Sequence, residues 1–231
     1  RSSDLDPRFV GMSATLNKED YKDIKSFFIS DRVTNVLLDS KKNPLESTKS
    51  YYKANIKGES IDALDEIYNY SIKESMLVFP NARSEVERLA VGLNQLGIKK
   101  GSNSRYFAHH SSISKEVRLT AENYAKGSRG ELFTICCTST LELGIDIGSV
   151  DSIVQYNAPY SVASLGQRLG RSGRTTGKNI LHFIATNEWS LLQGLAALSL
   201  YEEGILDRFE SIIKPYDVVA HQILSLLLEH T

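Results

Sequence analysis

Apolar and polar residues follow two alternating patterns along the chain. Short apolar segments, typical of buried strands, occur at 76–79, 105–108, 132–137, 152–156 and 179–185. Between them, apolar residues recur at helical spacing, which predicts helices over 61–70, 82–96, 114–124, 161–170 and 188–203. Gly97 is expected to stop the second of these helices. Strands that alternate with helices in this way predict an α/β fold, with a mostly parallel sheet covered by helices on both faces.

Two shorter segments flank this alternating region. Residues 40–50 are polar, which predicts a linker, and a possible strand follows at 51–56. Near the other end, Pro215 and Asp217 open an apolar helix.

Charge and cysteine content narrow the classes of function. The 231 residues include 27 Lys+Arg and 28 Asp+Glu, a formal net charge of −1, so any nucleic-acid contact must come from a local groove rather than from bulk charge.

Cys136 and Cys137 are adjacent on a predicted strand and point to opposite faces, so they cannot easily pair or bind one metal. These thiols suit a reducing cytoplasm. No segment approaches the ~20 apolar residues of a membrane helix. Arg1 suggests that the chain is a fragment of something longer.

The strongest chemical signal is a set of three arginines at a spacing of three residues, Arg168, Arg171 and Arg174. On a helix this spacing places them on one face, where they repel one another unless an anion lies between them. Phosphate accepts bidentate hydrogen bonds from guanidinium groups, which favours a polyphosphate ligand. Arginines of this kind stabilise charge on a phosphoryl group in transfer. The alternative is a solvated basic turn, and the acidic, glycine-containing loop just upstream argues against it.

These segments resemble ordered motifs of superfamily 2 helicases. Residues 138–146 resemble motif V and residues 167–174 resemble motif VI, and together they are similar to the large helicase-related (Lhr) family. Ser13-Ala-Thr15 resembles motif III, with a plain helix-entry turn as the alternative. Residues 79–83 resemble motif IV, and residues 109–118 resemble the nucleic-acid-contacting segment of the family. The resemblance covers most of the chain. It implies three parts: a remnant of a first RecA-like lobe with the linker at 1–44, a second RecA-like lobe at 45–210, and the start of a winged-helix domain at 211–231.

The resemblance also implies roles for individual residues. Gln167 would sense the terminal phosphate of ATP, Arg171 and Arg174 would be arginine fingers, and Arg168 would be structural, paired to an acidic neighbour. Gly144 and Asp146 would lie beside the nucleotide, with Asp146 near its ribose. Ser13 and Thr15 would couple the nucleotide state to the grip on nucleic acid. The residues expected to contact nucleic acid are Asn81, Arg83, His110, Ser112, Arg118 and Thr138.

Several of these assignments have a simpler alternative. Asn81 and Arg83 lie at the amino end of a predicted helix, where they would favour phosphate or would simply cap the helix. His109 and His110 have no accompanying cluster of Cys or carboxylates, so no metal site is expected. Trp189 lies among leucines, which favours a core position over a base-stacking platform.

Two motifs needed for a complete ATP site do not occur in the sequence. There is no Gly-x-x-x-x-Gly-Lys-Ser/Thr and no Asp-Glu-x-His, the elements that bind the phosphates and Mg²⁺. The resemblance places them on the first lobe of the whole protein, together with the magnesium ligands. We therefore expect the second RecA-like lobe of an ATP-dependent helicase, inactive alone, whose partners are that first lobe and single-stranded DNA. RNA remains possible, because sugar–phosphate contacts alone do not separate the two. The alternative function is a binding module that does not hydrolyse ATP.

Overall fold

A computed structural model describes residues 43–128, 130–142, 147–173, 177–207 and 215–229. The chain divides into two compact units: the described residues up to Asp207 belong to one unit, and residues 215–229 belong to the other. The predictions for Ser13, Thr15, Gly144, Asp146 and Arg174 lie outside the described residues. The boundaries proposed for the three parts of the chain stay predictions.

The larger unit alternates strands and helices. Its strands are β1 (Leu45–Tyr51), β2 (Met76–Phe79), β3 (Arg105–His109), β4 (Phe133–Cys137), β5 (Ser152–Tyr156) and β6 (Asn179–Ala185). Its helices are α1 (Ile61–Ser71), α2 (Arg83–Lys100), α3 (Lys115–Gly127), α4 (Val162–Leu169) and α5 (Glu188–Glu203), with a 3₁₀ turn at Ser139–Leu141.

The six strands form one sheet in the order β1-β6-β5-β2-β4-β3, and every pair is parallel. The predicted α/β fold with a parallel sheet covered by helices is confirmed. Because all strands run the same way, the loops that follow their carboxyl ends emerge at one edge of the sheet. That edge is called the carboxyl edge below.

Each face of the sheet has its own buried core. Leu77 and Ile153 pack in one cluster with residues of α3, α4 and α5, whereas Val78 and Val154 pack in the other with α1 and α2. Neighbouring residues of a strand thus enter opposite cores, as the two-residue period of a strand requires. Cys136 and Cys137 follow the same rule, which confirms that they are buried on opposite faces.

Two predicted boundaries are wrong. The polar segment at 40–50, predicted to be a linker, contains most of β1. This strand lies at the edge of the sheet, where its residues are half-buried or exposed and its hydrogen bonds go to β6. An edge strand can be polar, so composition alone did not distinguish it from a linker. Gly97 does not stop α2, which continues to Lys100 and ends at Gly101 with φ 69°. A Cβ at Gly97 would lie 2.8 Å from Cε2 of Tyr106, so this glycine allows close packing on β3.

The prediction that Trp189 lies in the core is also wrong, because its side chain is 67% exposed. Helix α5 is apolar on several sides and buries its small residues, including Gly194 and Ala197, against the sheet. Leu198 is buried with them, whereas Leu192 and Leu195 of the same helix are exposed like Trp189. Val117 and Leu119 of α3 are exposed as well, while Ala121 is buried.

Helix α6 (Tyr216–Glu229) belongs to the second unit. It begins just after Pro215, near the predicted opening. Within the ranges that the structure describes, neither this helix nor any other is long and apolar enough to cross a membrane.

Candidate functional site at the carboxyl edge of the sheet

Most of the described residues singled out by the sequence lie near the carboxyl edge. Asn81 and Arg83 follow β2, His110 and Ser112 follow β3, and Thr138 follows β4. Helix α4, which carries Gln167 and Arg168, begins after the loop that leaves β5, and Arg171 lies just beyond its end. The parallel order of the strands thus brings together segments that are far apart in sequence.

Arg168 is the central buried charge of this region. Its side chain is 2% exposed, and its Nε and Nη2 donate to Oε1 of Glu142 at 2.8 and 2.5 Å. Nη1 donates to Oε1 of Gln155 at 2.6 Å, and the guanidinium lies 4.9 Å from the ring centroid of Phe79. The expectation that Arg168 pairs with an acidic neighbour is confirmed.

The side chain of Arg171 contacts the main chain of Glu142. Its Nη2 and Nε donate to the carbonyl oxygen of Glu142 at 2.7 and 3.2 Å, and the residue is 9% exposed. Gln167, half-buried, lies in the last turn of α4. Glu142, in the segment after β4, therefore binds both the end of α4 and the residues after it. Its carboxylate accepts from Arg168 and its carbonyl accepts from Arg171.

The start of α2 lacks a side-chain cap. Its N-cap residue is Ala82, with no side-chain hydrogen bond to the helix. The amide of Asn81 instead donates from Nδ2 to the carbonyl of Ala158 at 2.8 Å, in the loop after β5. The simple capping alternative for this segment is therefore not what the structure contains. Uncapped amino ends are suited to phosphate oxygens, because their N–H groups and the helix dipole favour negative charge.

Arg83 links two loops of the carboxyl edge. Its Nη1 donates to Oγ of Ser112 at 2.7 Å, and both side chains are exposed. The turn that carries Ser112 is held by His110, whose Nδ1 accepts from the Ser112 N–H at 3.3 Å. The other ring nitrogen of His110 lies 2.9 Å from Oε1 of Glu87, and the side chain is 2% exposed. His110 is thus a buried support of this turn.

Arg118 and Thr138 complete the set. Arg118 lies in the first turn of α3, whose N-cap is Ser114 as predicted. Its Nε is buried and has no hydrogen-bond partner within the described part of the chain. Such a group is costly unless a ligand or water satisfies it. Thr138 precedes the 3₁₀ turn, and its N–H donates to the carbonyl of His109 at 3.3 Å.

His109 was not identified as a site residue from the sequence. Its side chain is fully buried, with Nδ1 2.9 Å from Oγ1 of Thr140 and Nε2 2.9 Å from Oε1 of Glu122. It therefore ties the turn after β4 to helix α3. The sequence around His109 could not indicate this contact, because Thr140 lies 31 positions away along the chain.

The described residues contain no group of three or more His, Cys, Asp or Glu side chains placed to hold a metal ion. The thiols of the β4 strand are not reactive groups either. Burial raises the pKa of Cys136 and of Cys137, and the nearby arginines only partly offset this for Cys137. Both thiols therefore stay protonated in the folded chain at neutral pH.

Comparison with known proteins identifies the family. Residues 59–176, just over half of the chain, match the helicase conserved C-terminal domain. An ATP-dependent helicase Lhr-Core of Methanocaldococcus jannaschii is 35% identical over 157 residues, which are 68% of this chain and 18% of that protein. The Lhr-Core helicase of Methanothermobacter thermautotrophicus is 34% identical over 176 residues, 73% of this chain and 20% of that protein. The chain thus spans about a fifth of these relatives.

A solved structure supports the same assignment. The helicase Lhr of Mycobacterium smegmatis, bound to single-stranded DNA and AMP-PNP, superposes with a TM-score of 0.78 at 28% identity. The match covers 91% of this chain and 28% of that protein. The predicted resemblance to Lhr-type superfamily 2 helicases is confirmed, and the chain belongs to the family of the helicase conserved C-terminal domain.

Proposed function

We propose that this chain supplies one half of an ATP site and one wall of a nucleic-acid track to an ATP-dependent helicase. The observation that carries the proposal is the junction at Glu142, which holds Arg168 and Arg171 against the segment that follows β4. The segments resembling motifs V and VI thereby contact each other through Glu142. A site that couples ATP to movement needs this adjacency, because one segment would contact nucleic acid and the other the nucleotide.

In the nucleotide half, Arg171 and Arg174 are the proposed arginine fingers and Gln167 the group that senses the terminal phosphate. Closure of the cleft against the first lobe would move these groups to the γ-phosphate, where their positive charge stabilises the transferring phosphoryl group. In that step Arg171 would exchange its bond to the Glu142 carbonyl for phosphate oxygens. Gly144 would allow close approach of the nucleotide, and Asp146 would accept a ribose hydroxyl.

Magnesium would be held elsewhere. The described residues contain no cluster of three or more His, Cys, Asp or Glu side chains placed to hold a metal ion, and the two missing sequence motifs are the ones that bind phosphates and Mg²⁺. We therefore place the magnesium ligands on the first lobe of the whole protein, whose end would lie in residues 1–44. Ser13 and Thr15 would couple the two lobes there.

The nucleic-acid half follows the carboxyl edge. Asn81, Arg83, Ser112, Arg118 and Thr138 would contact the sugar–phosphate backbone, with His110 supporting the turn of Ser112. The uncapped start of α2 and the buried, unpaired Nε of Arg118 support this assignment. These groups suit phosphate without reading sequence. We propose single-stranded DNA as the partner because the M. smegmatis relative was solved with it; RNA would meet the same groups.

The decisive experiment is ATP hydrolysis by the full-length protein that carries this chain, with and without single-stranded DNA or RNA. We expect stimulation by DNA, and a loss of ~10³-fold or more in turnover for Arg171→Ala, typical of a lost finger. The 231-residue chain alone should show no stimulated turnover.

Two results would reject this function. Stimulated turnover by the isolated chain at helicase-like rates would show that it holds a complete site. A full-length protein that binds nucleic acid but never hydrolyses ATP would instead be a binding module, and its first lobe would then lack the phosphate loop and the Asp-Glu-x-His sequence.

A further inference from the structure

Tyr160 has an unusual environment for a tyrosine. It follows β5, and the residue is 77% exposed, yet its hydroxyl donates to the carbonyl oxygen of Asn81 at 2.8 Å. Tyrosines more commonly bury the apolar ring and leave the hydroxyl in water. Here the polar end is tethered to the protein, and the flat apolar face is open to solvent.

The loop that carries Tyr160 is firmly held. Asn157 has a φ of 64°, a left-handed conformation that asparagine tolerates better than most residues. Its N–H donates to the Ile184 carbonyl at 2.8 Å, and its Oδ1 accepts from the N–H of Thr186 at 2.8 Å. The neighbouring Ala158 accepts from Asn81 through its carbonyl. The ring of Tyr160 is therefore positioned before any ligand arrives, which reduces the entropy lost on binding.

Tyr160 also lies at one end of a row of residues across the carboxyl edge. Its hydroxyl contacts Asn81, whose loop carries Arg83, and Arg83 in turn contacts Ser112. The row runs from the loop after β5 to the loop after β3, which are three strand spacings apart in the sheet order, roughly 14 Å at ordinary strand separation. It thus places an open aromatic ring beside groups suited to a phosphate backbone.

We propose that Tyr160 is a base-stacking residue for single-stranded nucleic acid, one base lying on its ring while Arg83 and Ser112 hold the adjoining backbone. This inference rests on the proposed function. Stacking on tyrosine is tolerant of sequence because every base presents an aromatic face. Tyr160 would therefore add affinity to the track without adding sequence preference.

The test is a double-mutant cycle in the full-length protein, which combines substitutions of Tyr160 with the removal of single bases from the DNA. Binding of a single-stranded DNA oligonucleotide is measured by fluorescence anisotropy for the wild type, Tyr160→Phe and Tyr160→Leu. A series of oligonucleotides, each with one abasic site at a different position, is measured beside it. Tyr160→Phe keeps the ring and loses the tether, whereas Tyr160→Leu keeps apolar bulk and loses the ring.

We expect Tyr160→Leu to weaken binding by about 5- to 150-fold, the usual range for one stacked base, and Tyr160→Phe to retain most of the affinity. One abasic position should weaken binding by the wild type and leave Tyr160→Leu unaffected. A merely structural tyrosine would weaken binding of intact and abasic strands equally, and that result would overturn the inference.

The same measurements separate this inference from the proposed function. If Arg83→Ala weakens binding but no abasic position shows coupling to Tyr160, the nucleic-acid track stands and the stacking role is wrong. If the wild type does not bind single-stranded DNA or RNA, both are wrong.

Discussion

Arg168 and Glu142 form an ion pair inside the lobe, with their side chains 2% and 8% exposed. Removal of one partner leaves a buried charge without compensation, which typically costs about 3–5 kcal/mol. We therefore expect Arg168→Ala to lower the free energy of unfolding by about that amount, measured by urea denaturation followed by circular dichroism.

An exposed ion pair provides the control. Lys178 lies 2.5 Å from Glu46, with side chains 55% and 56% exposed, and such pairs are largely screened by water. Lys178→Ala should leave the urea midpoint unchanged. Equal losses from both substitutions would show that burial does not determine the strength of the Arg168 pair.

Gly194 tests the packing of α5 on the sheet. A Cβ at this position would lie 2.0 Å from Cζ of Phe183, so one of the two elements would have to move. Replacement of glycine by alanine inside a helix normally stabilises by roughly 0.5–1 kcal/mol, but overpacking of a core typically costs about 1–3 kcal/mol. We expect Gly194→Ala to be destabilising in the same urea assay.

Gly127, the last residue of α3, is the matched position. A Cβ there has nothing within 4 Å, so Gly127→Ala should be neutral or slightly stabilising. If Gly194→Ala behaves like Gly127→Ala, α5 can shift away from Phe183 without loss.

The buried thiols predict a dependence of stability on pH. Burial raises the pKa of Cys136 and Cys137 above the ordinary value of 9.0, so the folded chain keeps both protons where the unfolded chain releases them. The folded state then binds more protons, and stability falls as the pH rises through that ordinary value. The slope should approach about 1.4 kcal/mol per pH unit for each thiol.

Urea denaturation between about pH 8 and 10, mostly below the range in which tyrosine ionises, measures this slope. A Cys136→Ala, Cys137→Ala double variant should have a lower absolute stability and a flatter pH profile than the wild type. An unchanged profile would mean that the thiols do not account for the dependence.

Arg83 tests the nucleic-acid track through its salt dependence. Arg83→Ala should weaken binding to single strands of every sequence and reduce the slope of log K against log salt by about 0.7, the value for one lost phosphate contact. Binding titrations at several salt concentrations measure this slope.

Lys100, at the opposite end of α2 and paired with Asp65, offers a control of the same charge on the same helix. Lys100→Ala should leave the slope unchanged. If both variants lose the same slope, the charge of the whole lobe rather than the carboxyl edge attracts the nucleic acid.

Five of the six strands and the general course of the helices could be predicted because their cause is local. A strand buried on both faces is largely apolar, as in Met76–Phe79, and a covering helix repeats its apolar residues every turn. Where burial is incomplete, this signal fails. β1 is half-exposed at the edge of the sheet, so its sequence is polar and its strand character comes from hydrogen bonds to β6.

Side chains are harder to place when their environment depends on which face of a helix packs on the sheet. Gly97 lies inside α2 against Tyr106 of β3, and Trp189 is exposed while Gly194, Ala197 and Leu198 of α5 are buried. Residue type alone does not indicate which face is packed.

Residue type and spacing were therefore enough to predict the parallel α/β fold, the order of its motifs and the chemistry of its arginines. Folding is what brings particular groups into contact: Glu142 with Arg168 and Arg171, Arg83 with Ser112, and Tyr160 with Asn81. Such contacts do not follow from neighbouring positions in the sequence, because the strands of the sheet are arranged in an order that differs from the order of the chain.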